Sequence, residues 1–294
     1  MELGRSLVGT PETFLFWNCN GYQARAKSLS HSIAQVITDA GVPDVCIFVE
    51  AKISFTKLLT TFGFREMLKE KGYEHVFVLS STGGSSHHGY AGIVVLSKFT
   101  PQRIWSGVDN HKFDNEARIL GLTFEKIELV GAYMYCGNGS DERLQRKIKF
   151  EELVIGRVQS LIHKDRPLLF ISDFNTNPTT LDWHENAFRR IKQKLPQNFE
   201  GFPGCSSMEQ QSRAHFLAEL NVNDIWTKTK PDSKFRMTQF SERGSKPFEG
   251  QRLDHALLST PYLDVAISEG RISITNDISM AAEKGGSESW VFAH

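Results

Sequence analysis

The chain has 294 residues, of which 40% are hydrophobic and 23% charged, and this composition is sufficient to bury a large core. Lys plus Arg and Asp plus Glu number 34 each, which excludes the overall positive charge of a highly basic nucleic-acid-binding protein, so any polyanion site has to be a local patch. The four cysteines lack paired spacing, which argues against a disulfide framework or zinc module and favours a soluble, intracellular protein, nuclear or cytoplasmic. Because no apolar run is long enough to span a membrane, no membrane partner is expected.

The first predicted strand lies within Thr13–Tyr22 and ends in two polar side chains, Asn18 and Asn20, followed by a glycine that permits a turn. A helix is predicted after it, capped by Ser28 and ending near Gly41, because apolar residues recur there at helical spacing.

Three further strands are predicted in the first hundred residues. The apolar run Asp44–Glu50 predicts a buried strand that ends in the carboxylate of Glu50. Tyr73–Ser80 and Gly92–Ser97 are predicted to be two more strands, joined by a polar, glycine-rich loop. A strand that runs directly into a carboxylate repeats the pattern of the first strand.

A hairpin and a long helix are predicted next. Ala117–Phe124 and Ile127–Tyr133 form the predicted hairpin. Asp141–Ile162 is predicted to be an amphipathic helix, because its apolar residues lie mostly on one side. The charged residues of this helix are predicted to face solvent.

The stretch Pro167–Asn177 is an apolar run that ends abruptly in Asp173 and Asn175. It predicts a strand buried on both faces. Alternation along a strand would place both polar side chains on one face, where a carboxylate and a carboxamide converge on one bound group. The alternative is a strand followed by an Asx turn, because Asp and Asn are common turn residues.

The remaining elements are predicted from shorter patterns. Two helices and four strands are predicted in chain order: helix Asp182–Lys194, helix Met208–Leu220 with the segment Val222–Trp226 after it, and strands Phe235–Phe240, Arg252–Ser259, Arg271–Thr275 and Trp290–Ala293. Strands outnumber helices, and several are joined by short loops. The predicted fold class is therefore α+β, a four-layer α/β sandwich in which helices flank two packed, mainly antiparallel sheets. No repeat or linker divides the chain, so residues 1–294 are predicted to form one domain, with a flexible segment at residues 1–12.

Six short motifs occur in an order and spacing that resemble the endonuclease/exonuclease/phosphatase superfamily. They are Trp17–Gly21, Val49–Lys52, Gly89–Gly92, Ala132–Tyr133, Ser172–Asn175 and Arg252–Asp254. The segment Gly201–Gln211, a following helix and Asn223–Trp226 resemble the exonuclease III and AP-endonuclease branch. The resemblance implies a divalent-metal-dependent nuclease of DNA repair that hydrolyses DNA phosphodiester bonds as a monomer.

The resemblance also implies which residues hold a metal ion. Glu50 matches the metal-binding glutamate and would hold Mg²⁺ or Mn²⁺ through oxygen, which both ions prefer. Asn18 and Asn20 match positions that support the metal and the phosphate. Glu288 stands where the family has an aspartate that assists at the metal.

Four residues match family positions that act on the phosphate or the water. Asp173 would orient or deprotonate the attacking water, and Asn175 would donate a hydrogen bond to the phosphate. Tyr133 matches the tyrosine that stabilises the phosphoryl group. Asp254 matches the aspartate that pairs with a histidine of the last family motif.

The last family motif departs most from the pattern, because Ser289 replaces its histidine. A serine cannot supply the positive charge of an imidazolium to a phosphate. His255, His87, His88 and His294 are candidate substitutes but are more simply core or surface residues, and a shifted register would place Asn276 and Asp277 in the role. Ser172 for a glycine and Gln251 for a pocket aromatic are smaller departures. Two alternatives therefore stay open: a catalytically impaired pseudonuclease that binds nucleic acid or a protein, and a hydrolase of RNA or a small phosphate ester.

Overall fold

The computed structural model describes residues 8–26, 32–82, 91–137, 140–179, 204–229, 239–241, 249–270, 272–276 and 289–293. The predicted helix Asp182–Lys194 lies outside these residues, as do residues 235–238 of a predicted strand. Pro11 is buried, and the Lys126 amide donates to Thr10 Oγ1 at 3.1 Å. The single-domain organisation and the flexible segment at residues 1–12 stay predictions.

Fourteen strands occur in the described residues. They are β1 Phe14–Asn18, β2 Val45–Val49, β3 His75–Leu79, β4 Ile93–Ser97, β5 Arg103–Ser106, β6 Ile119–Thr123, β7 Glu128–Tyr133, β8 Leu168–Asp173, β9 Val222–Asp224, β10 Gln239–Ser241, β11 Glu249–Gln251, β12 Asp254–Ser259, β13 Ser273–Asn276 and β14 Ser289–Ala293. The helices of the same residues are α1 Tyr22–Ala26, α2 Ile33–Asp39, α3 Phe55–Leu59, α4 Phe64–Lys71, α5 His111–Asp114, α6 Asp141–Leu161, α7 Ser207–Glu219, α8 Ile225–Thr229 and α9 Thr260–Ser268. None of these helices has both the length and the apolarity that a membrane crossing requires.

Two six-stranded sheets form the centre of the fold. The first sheet has the order β13-β14-β1-β2-β4-β3, and the second has the order β5-β6-β7-β8-β12-β9. Each sheet contains one parallel pair, β1 with β2 and β7 with β8, and its other pairs are antiparallel. This arrangement confirms the predicted pair of mainly antiparallel sheets.

Three apolar clusters hold four layers together. One lies between the sheets and includes Phe16, Ile47 and Ile171. The second packs α6 and α7 on the outer face of the second sheet, and the third packs α2, α3 and α4 on the outer face of the first. Each fully buried large apolar side chain contributes roughly 1.5–3 kcal/mol to this packing. The predicted four-layer α/β sandwich is therefore confirmed.

One local prediction is wrong and another falls outside the described residues. Helix α2 begins at Ile33 and is capped by Ser32, whose Oγ accepts a hydrogen bond from the Gln35 amide at 3.2 Å, whereas the predicted cap Ser28 lies outside the described residues. The charges of α6 are not all solvated, because Lys147 and Glu151 are 0% and 1% exposed and form a buried ion pair at 2.8 Å. Helical spacing shows which residues share a face, but it does not show that a lysine and a glutamate neutralise each other inside the core.

Candidate active site

The predicted site residues meet at one end of the interior between the two sheets. Tyr133, Asp173 and Asp254 are register partners on the adjacent strands β7, β8 and β12. Register partners project from the same face of a sheet, so these three side chains stand in one row. Ile171, two residues before Asp173, belongs to the core between the sheets. The row is therefore a polar layer at the end of that core.

The amide of Asn18 joins the two sheets at this layer. Asn18 ends β1 in the first sheet, and its Nδ2 donates to Glu50 Oε1 at 2.8 Å. The same nitrogen donates to Asp173 Oδ2 at 2.8 Å in the second sheet. One buried amide thus holds the predicted metal-binding carboxylate and the predicted water-activating carboxylate in a single hydrogen-bonded group.

Strands β1 and β8 end in the same local structure. Asn18 Oδ1 accepts a hydrogen bond from the Asn20 amide at 3.2 Å, and Asp173 Oδ1 accepts one from the Asn175 amide at 2.9 Å. Both are Asx turns, so the turn alternative for Asp173 is correct and is compatible with a role in the site. The argument from strand alternation is wrong, because β8 ends at Asp173 and Asn175 has a φ of 50°.

Strained backbone is concentrated in this region. Of the eight described non-glycine residues with positive φ, four are site residues or their neighbours: Asn20, Glu50, Lys52 and Asn175. Such conformations cost on the order of 1–3 kcal/mol each for non-glycine residues and tend to occur at functional sites. The hydrogen bonds around these residues hold them in conformations that their side chains would otherwise disfavour.

Lys52 neutralises Glu50. Lys52 Nζ lies 2.9 Å from Glu50 Oε2 and donates to Asn20 Oδ1 at 2.6 Å. Burial by itself would raise the pKa of Glu50, but hydrogen bonds from Asn18, Lys52 and Tyr133 together hold that pKa below its ordinary value. Glu50 is therefore ionised at neutral pH.

Asp173 has the opposite shift. Burial raises the pKa of Asp173 to about 6, and the negative charge of Glu50 adds to the increase. Hydrogen bonds from the Asn18 side chain and the Asn175 amide, together with the charge of Lys147, oppose the increase in this pKa. Two neighbouring carboxylates with pKa values pushed apart are typical of acid and base pairs in enzymes.

Tyr133 is held in place by a stacked arginine. The guanidinium carbon of Arg118 lies 4.6 Å from the ring centroid of Tyr133 and 3.9 Å from that of Tyr135. Burial, followed by the charges of Glu50 and Asp173, raises the pKa of Tyr133. The hydroxyl of Tyr133 thus stays protonated and acts as a hydrogen-bond donor.

Asn175 and Asn20 lie on either side of the Glu50 and Asp173 pair. Asn175 Nδ2 donates to the carbonyl of Met134, in the loop that follows β7, at 3.0 Å. Asn20 is exposed and is connected to Glu50 through Lys52. The structure therefore brings together Asn18, Asn20, Glu50, Tyr133, Asp173, Asn175 and Asp254.

His255 is a core residue and does not replace the missing histidine. It is opposite Ser172 in the β8 register, so it projects away from Asp254. Its Nδ1 lies 3.0 Å from Asp224 Oδ2, and its Nε2 lies 3.0 Å from the carbonyl of Thr176. Burial, then the charges of two nearby arginines, lowers the pKa of His255 to about 4. The other candidates His87, His88, His294 and Asp277 lie outside the described residues.

The segment with the altered family motif enters the first sheet beside β1. Ser289 begins β14 and is the register partner of Trp17, the residue before Asn18. Glu288 lies outside the described residues. The predicted role of Glu288 at the metal therefore stays a prediction.

The donors at the site suit a hard divalent cation. Within the ranges that the structure describes, no three His, Cys, Asp or Glu side chains cluster closely enough to hold a metal by themselves. However, Mg²⁺ keeps several waters and uses one or two carboxylates together with substrate phosphate. The Lys52 ammonium already lies between a Glu50 oxygen and the Asn20 amide oxygen, so this oxygen pair binds a positive charge. Glu50 with Asn18 and Asn20 fits such an ion.

Three cations of this region were missed from the sequence: Lys52, Arg118 and Lys147. Lys52 carries a signal, because it follows the strand-end Glu50 by two residues and lies in a recognised motif. Arg118 and Lys147 carry none, since the contacts that bring them to the site, with the Tyr133 ring and the Phe174 carbonyl, are with residues far away in the chain.

Comparison of the sequence with known proteins identifies a family and several relatives. The model of the endonuclease/exonuclease/phosphatase family matches residues 15–273. The DNA-(apurinic or apyrimidinic site) endonuclease of Dictyostelium discoideum is 25% identical over 251 residues, which cover 84% of this chain and 62% of that protein. Exodeoxyribonuclease III of Haemophilus influenzae is 25% identical over 275 residues, which cover 87% of this chain and 91% of that one. This chain spans only 33% of Recombination repair protein 1 of Drosophila melanogaster.

Solved structures show the same fold. An AP endonuclease from Archaeoglobus fulgidus superposes with a TM-score of 0.73 at 19% identity, covering 96% of this chain and 98% of the other. A 3′-5′ exonuclease from Neisseria meningitidis superposes with a TM-score of 0.72 at 19% identity, covering 95% and 98%. The family match over residues 15–273, most of the chain, shows that this protein belongs to the endonuclease/exonuclease/phosphatase family.

Proposed function

We propose that the protein is a divalent-metal-dependent nuclease that hydrolyses DNA phosphodiester bonds as a monomer, in the manner of exonuclease III and the AP endonucleases. The observation that carries the proposal is the Asn18 amide, which holds Glu50 and Asp173 together at 2.8 Å each. The carboxylate that would hold a cation and the carboxylate that would activate a water molecule are thereby adjacent, as metal-dependent phosphodiester hydrolysis requires.

The metal-binding half of the site consists of Glu50, Asn18 and Asn20. When bound, Mg²⁺ or Mn²⁺ supplies positive charge to the non-bridging phosphate oxygens and to the leaving 3′ oxygen. Glu50 holds the cation as an ionised carboxylate, because its pKa is lowered. Asn18 fixes the orientation of Glu50 through a hydrogen bond to Oε1, and Glu50 Oε2, which pairs with Lys52, would be the oxygen offered to the cation.

The other half of the site acts on water and phosphate. Asp173 orients the attacking water and accepts its proton, and the raised pKa of Asp173 makes it a better base than an exposed aspartate. The neutral hydroxyl of Tyr133 and the amide of Asn175 donate to the phosphoryl oxygens. Asp254, next to Asp173 in the register, adds negative charge to this row.

A panel of substrates tests the proposal. The purified protein is incubated with nicked, abasic and single-stranded DNA, with RNA and with a small aryl phosphodiester, in Mg²⁺ or Mn²⁺ and then in chelator. We expect chelator-sensitive cleavage of duplex DNA. Cleavage that survives chelation contradicts the proposal, and activity restricted to RNA or to the small diester supports the alternative hydrolase instead.

The pKa of Asp173 predicts how kcat of DNA cleavage depends on pH in the acid range. The ionised form of Asp173 is the base, so kcat falls as pH decreases through its pKa, which is about 6 in the protein without metal. A bound cation lowers this pKa, so the acid limb of kcat is expected at or below pH 6. Single-turnover cleavage rates from pH 4.5 to 9 measure the limb, and a limb above pH 7 contradicts the assignment of Asp173 as the base.

The pseudonuclease alternative is favoured by Ser289, which begins β14 beside the Asn18 strand where the family has a histidine. We expect the double substitution Glu288→Asp and Ser289→His to raise kcat of DNA cleavage by about 10²-fold, because a histidine donor to the phosphate is restored. The single Glu288→Asp substitution is the control. If the natural chain already cleaves as fast as the double variant, the pseudonuclease alternative is excluded.

A further inference from the structure

Lys147 is a fully buried lysine that lies beneath the site. It belongs to α6 and is 0% exposed. Its ammonium donates to the carbonyl of Tyr135 at 3.0 Å and to the carbonyl of Phe174 at 2.6 Å, and it forms an ion pair with Glu151 Oε1 at 2.8 Å. One ammonium therefore donates to carbonyls of two separate loops while a carboxylate of its own helix balances its charge.

The two carbonyls belong to the loops that carry site residues. Phe174 is the residue between Asp173 and Asn175, and Tyr135 follows Tyr133 by two residues. These loops leave the parallel strands β7 and β8 at the same edge of the second sheet. Just beyond the paired strands, the Met134 amide donates to the carbonyl of Asp173 at 2.9 Å. Lys147 adds a second link between the same two loops, through the carbonyls of Tyr135 and Phe174.

The Phe174 peptide is held on both sides. Its N–H donates to the carbonyl of Leu253 at 2.7 Å, and its C=O accepts from Lys147. The ring of Phe174 is buried against the rings of Phe216 and His255. Since a rotation of this residue would move the side chains on either side of it, its contacts determine how Asp173 and Asn175 are oriented.

We propose that Lys147 is a positioning residue for the site, which fixes the Tyr133 loop and the Asp173–Asn175 loop relative to each other through the carbonyls of Tyr135 and Phe174. The inference rests on the proposed nuclease function. Glu151 has the supporting role of neutralising Lys147, since an ammonium buried without a partner would be costly. The function of the ion pair is therefore to allow an ammonium that donates to both loops to lie under the site.

The test separates the carbonyl contacts from the ion pair. In Lys147→Met with Glu151→Gln, both charges are removed and the two carbonyls lose their donor. In Glu151→Gln alone, the carboxylate of the ion pair is removed and both carbonyl contacts of Lys147 remain. Lys149→Met is a matched control, because Lys149 is on the same helix but is exposed and pairs only with Glu152.

We expect the double variant to lose about 100-fold in kcat with KM changed less than about threefold, because misplacement by about 1 Å costs rate more than binding. Hydrogen exchange of the amides in residues 133–137 and 173–177 should accelerate by about tenfold in both segments together. Lys149→Met should keep kcat and exchange near those of the natural protein. Glu151→Gln should lower global stability, because it leaves the Lys147 ammonium without a carboxylate, but the folded variant should keep kcat and the relative exchange of the two segments, because the carbonyl contacts remain.

A folded double variant with kcat within about threefold of the natural protein overturns the inference, and so does unchanged exchange in the two segments. If the natural protein does not cleave, the proposed function fails by itself, and the exchange measurement still decides whether Lys147 fixes the loops. Should the double variant not fold, Lys147→Gln with Glu151→Gln takes its place under the same criteria, because an amide pair fills the same space without charge.

Discussion

Replacing Asp173 with alanine is expected to lower kcat of metal-dependent DNA cleavage by a factor of about 10² to 10⁴, the usual contribution of a positioned base. Asp173 is 5% exposed and receives hydrogen bonds from the Asn18 side chain and the Asn175 amide, so its carboxylate cannot be replaced by another group of the site. Steady-state kinetics on an abasic duplex measures the loss, and KM is expected to change little because the cation-binding half is intact.

The control for this variant is Asp165→Ala. Asp165 is an exposed aspartate just before the opposite end of β8, and its removal should leave kcat unchanged. Asp173→Asn provides a second comparison, because it keeps the shape of the side chain and removes the base. Cleavage by Asp173→Ala at the rate of the natural protein would contradict the assignment of Asp173 as the base.

Replacing Glu50 with glutamine is expected to weaken Mn²⁺ binding by at least about 100-fold, since even outer groups of metal sites contribute factors of 10 to 100. Glu50 is ionised because Asn18, Lys52 and Tyr133 lower its pKa, and a neutral amide cannot offer two negatively charged oxygens. Calorimetric titration with Mn²⁺ measures the affinity independently of cleavage. Activity at a fixed metal concentration should fall in parallel and be partly recovered at high Mn²⁺.

Glu66→Gln is the matched control for this prediction. Glu66 is an exposed glutamate of α4, on the outer side of the first sheet, and its substitution should not alter Mn²⁺ affinity. An unchanged affinity in Glu50→Gln would show that the cation binds elsewhere, and the proposed division of the site into a metal half and a water half would then be wrong.

The two carboxylates act differently because their surroundings differ. Glu50 lies beside the ammonium of Lys52, whereas Asp173 is buried with no arginine or lysine in direct contact among the described residues. Burial therefore raises the pKa of Asp173. At Glu50, hydrogen bonds and the positive charge of Lys52 together outweigh burial and lower the pKa. The Asn18 amide donates to both and keeps two negative charges close together.

The ends of the strands were largely predictable. Asn18, Glu50, Tyr133 and Asp173 were all identified from apolar runs that end in polar side chains or from motifs, because a buried strand has a clear compositional pattern. The helices α3, α4 and α9 were not predicted. They are short, and their burial depends on the sheet surfaces on which they pack.

Local patterns in the sequence identify the chemical groups and their order along the chain: polar side chains at the ends of two apolar strands, a strand-end glutamate, and motifs that resemble one family from residue 17 to residue 254. The hydrogen bonds from Asn18 to both Glu50 and Asp173, and the position of Lys147 under the site rather than in solvent, follow only from the packing of the folded chain. Local patterns depend on residues a few positions apart, whereas these hydrogen bonds join residues as many as 155 positions apart, and their partners are set by how two sheets and a helix pack.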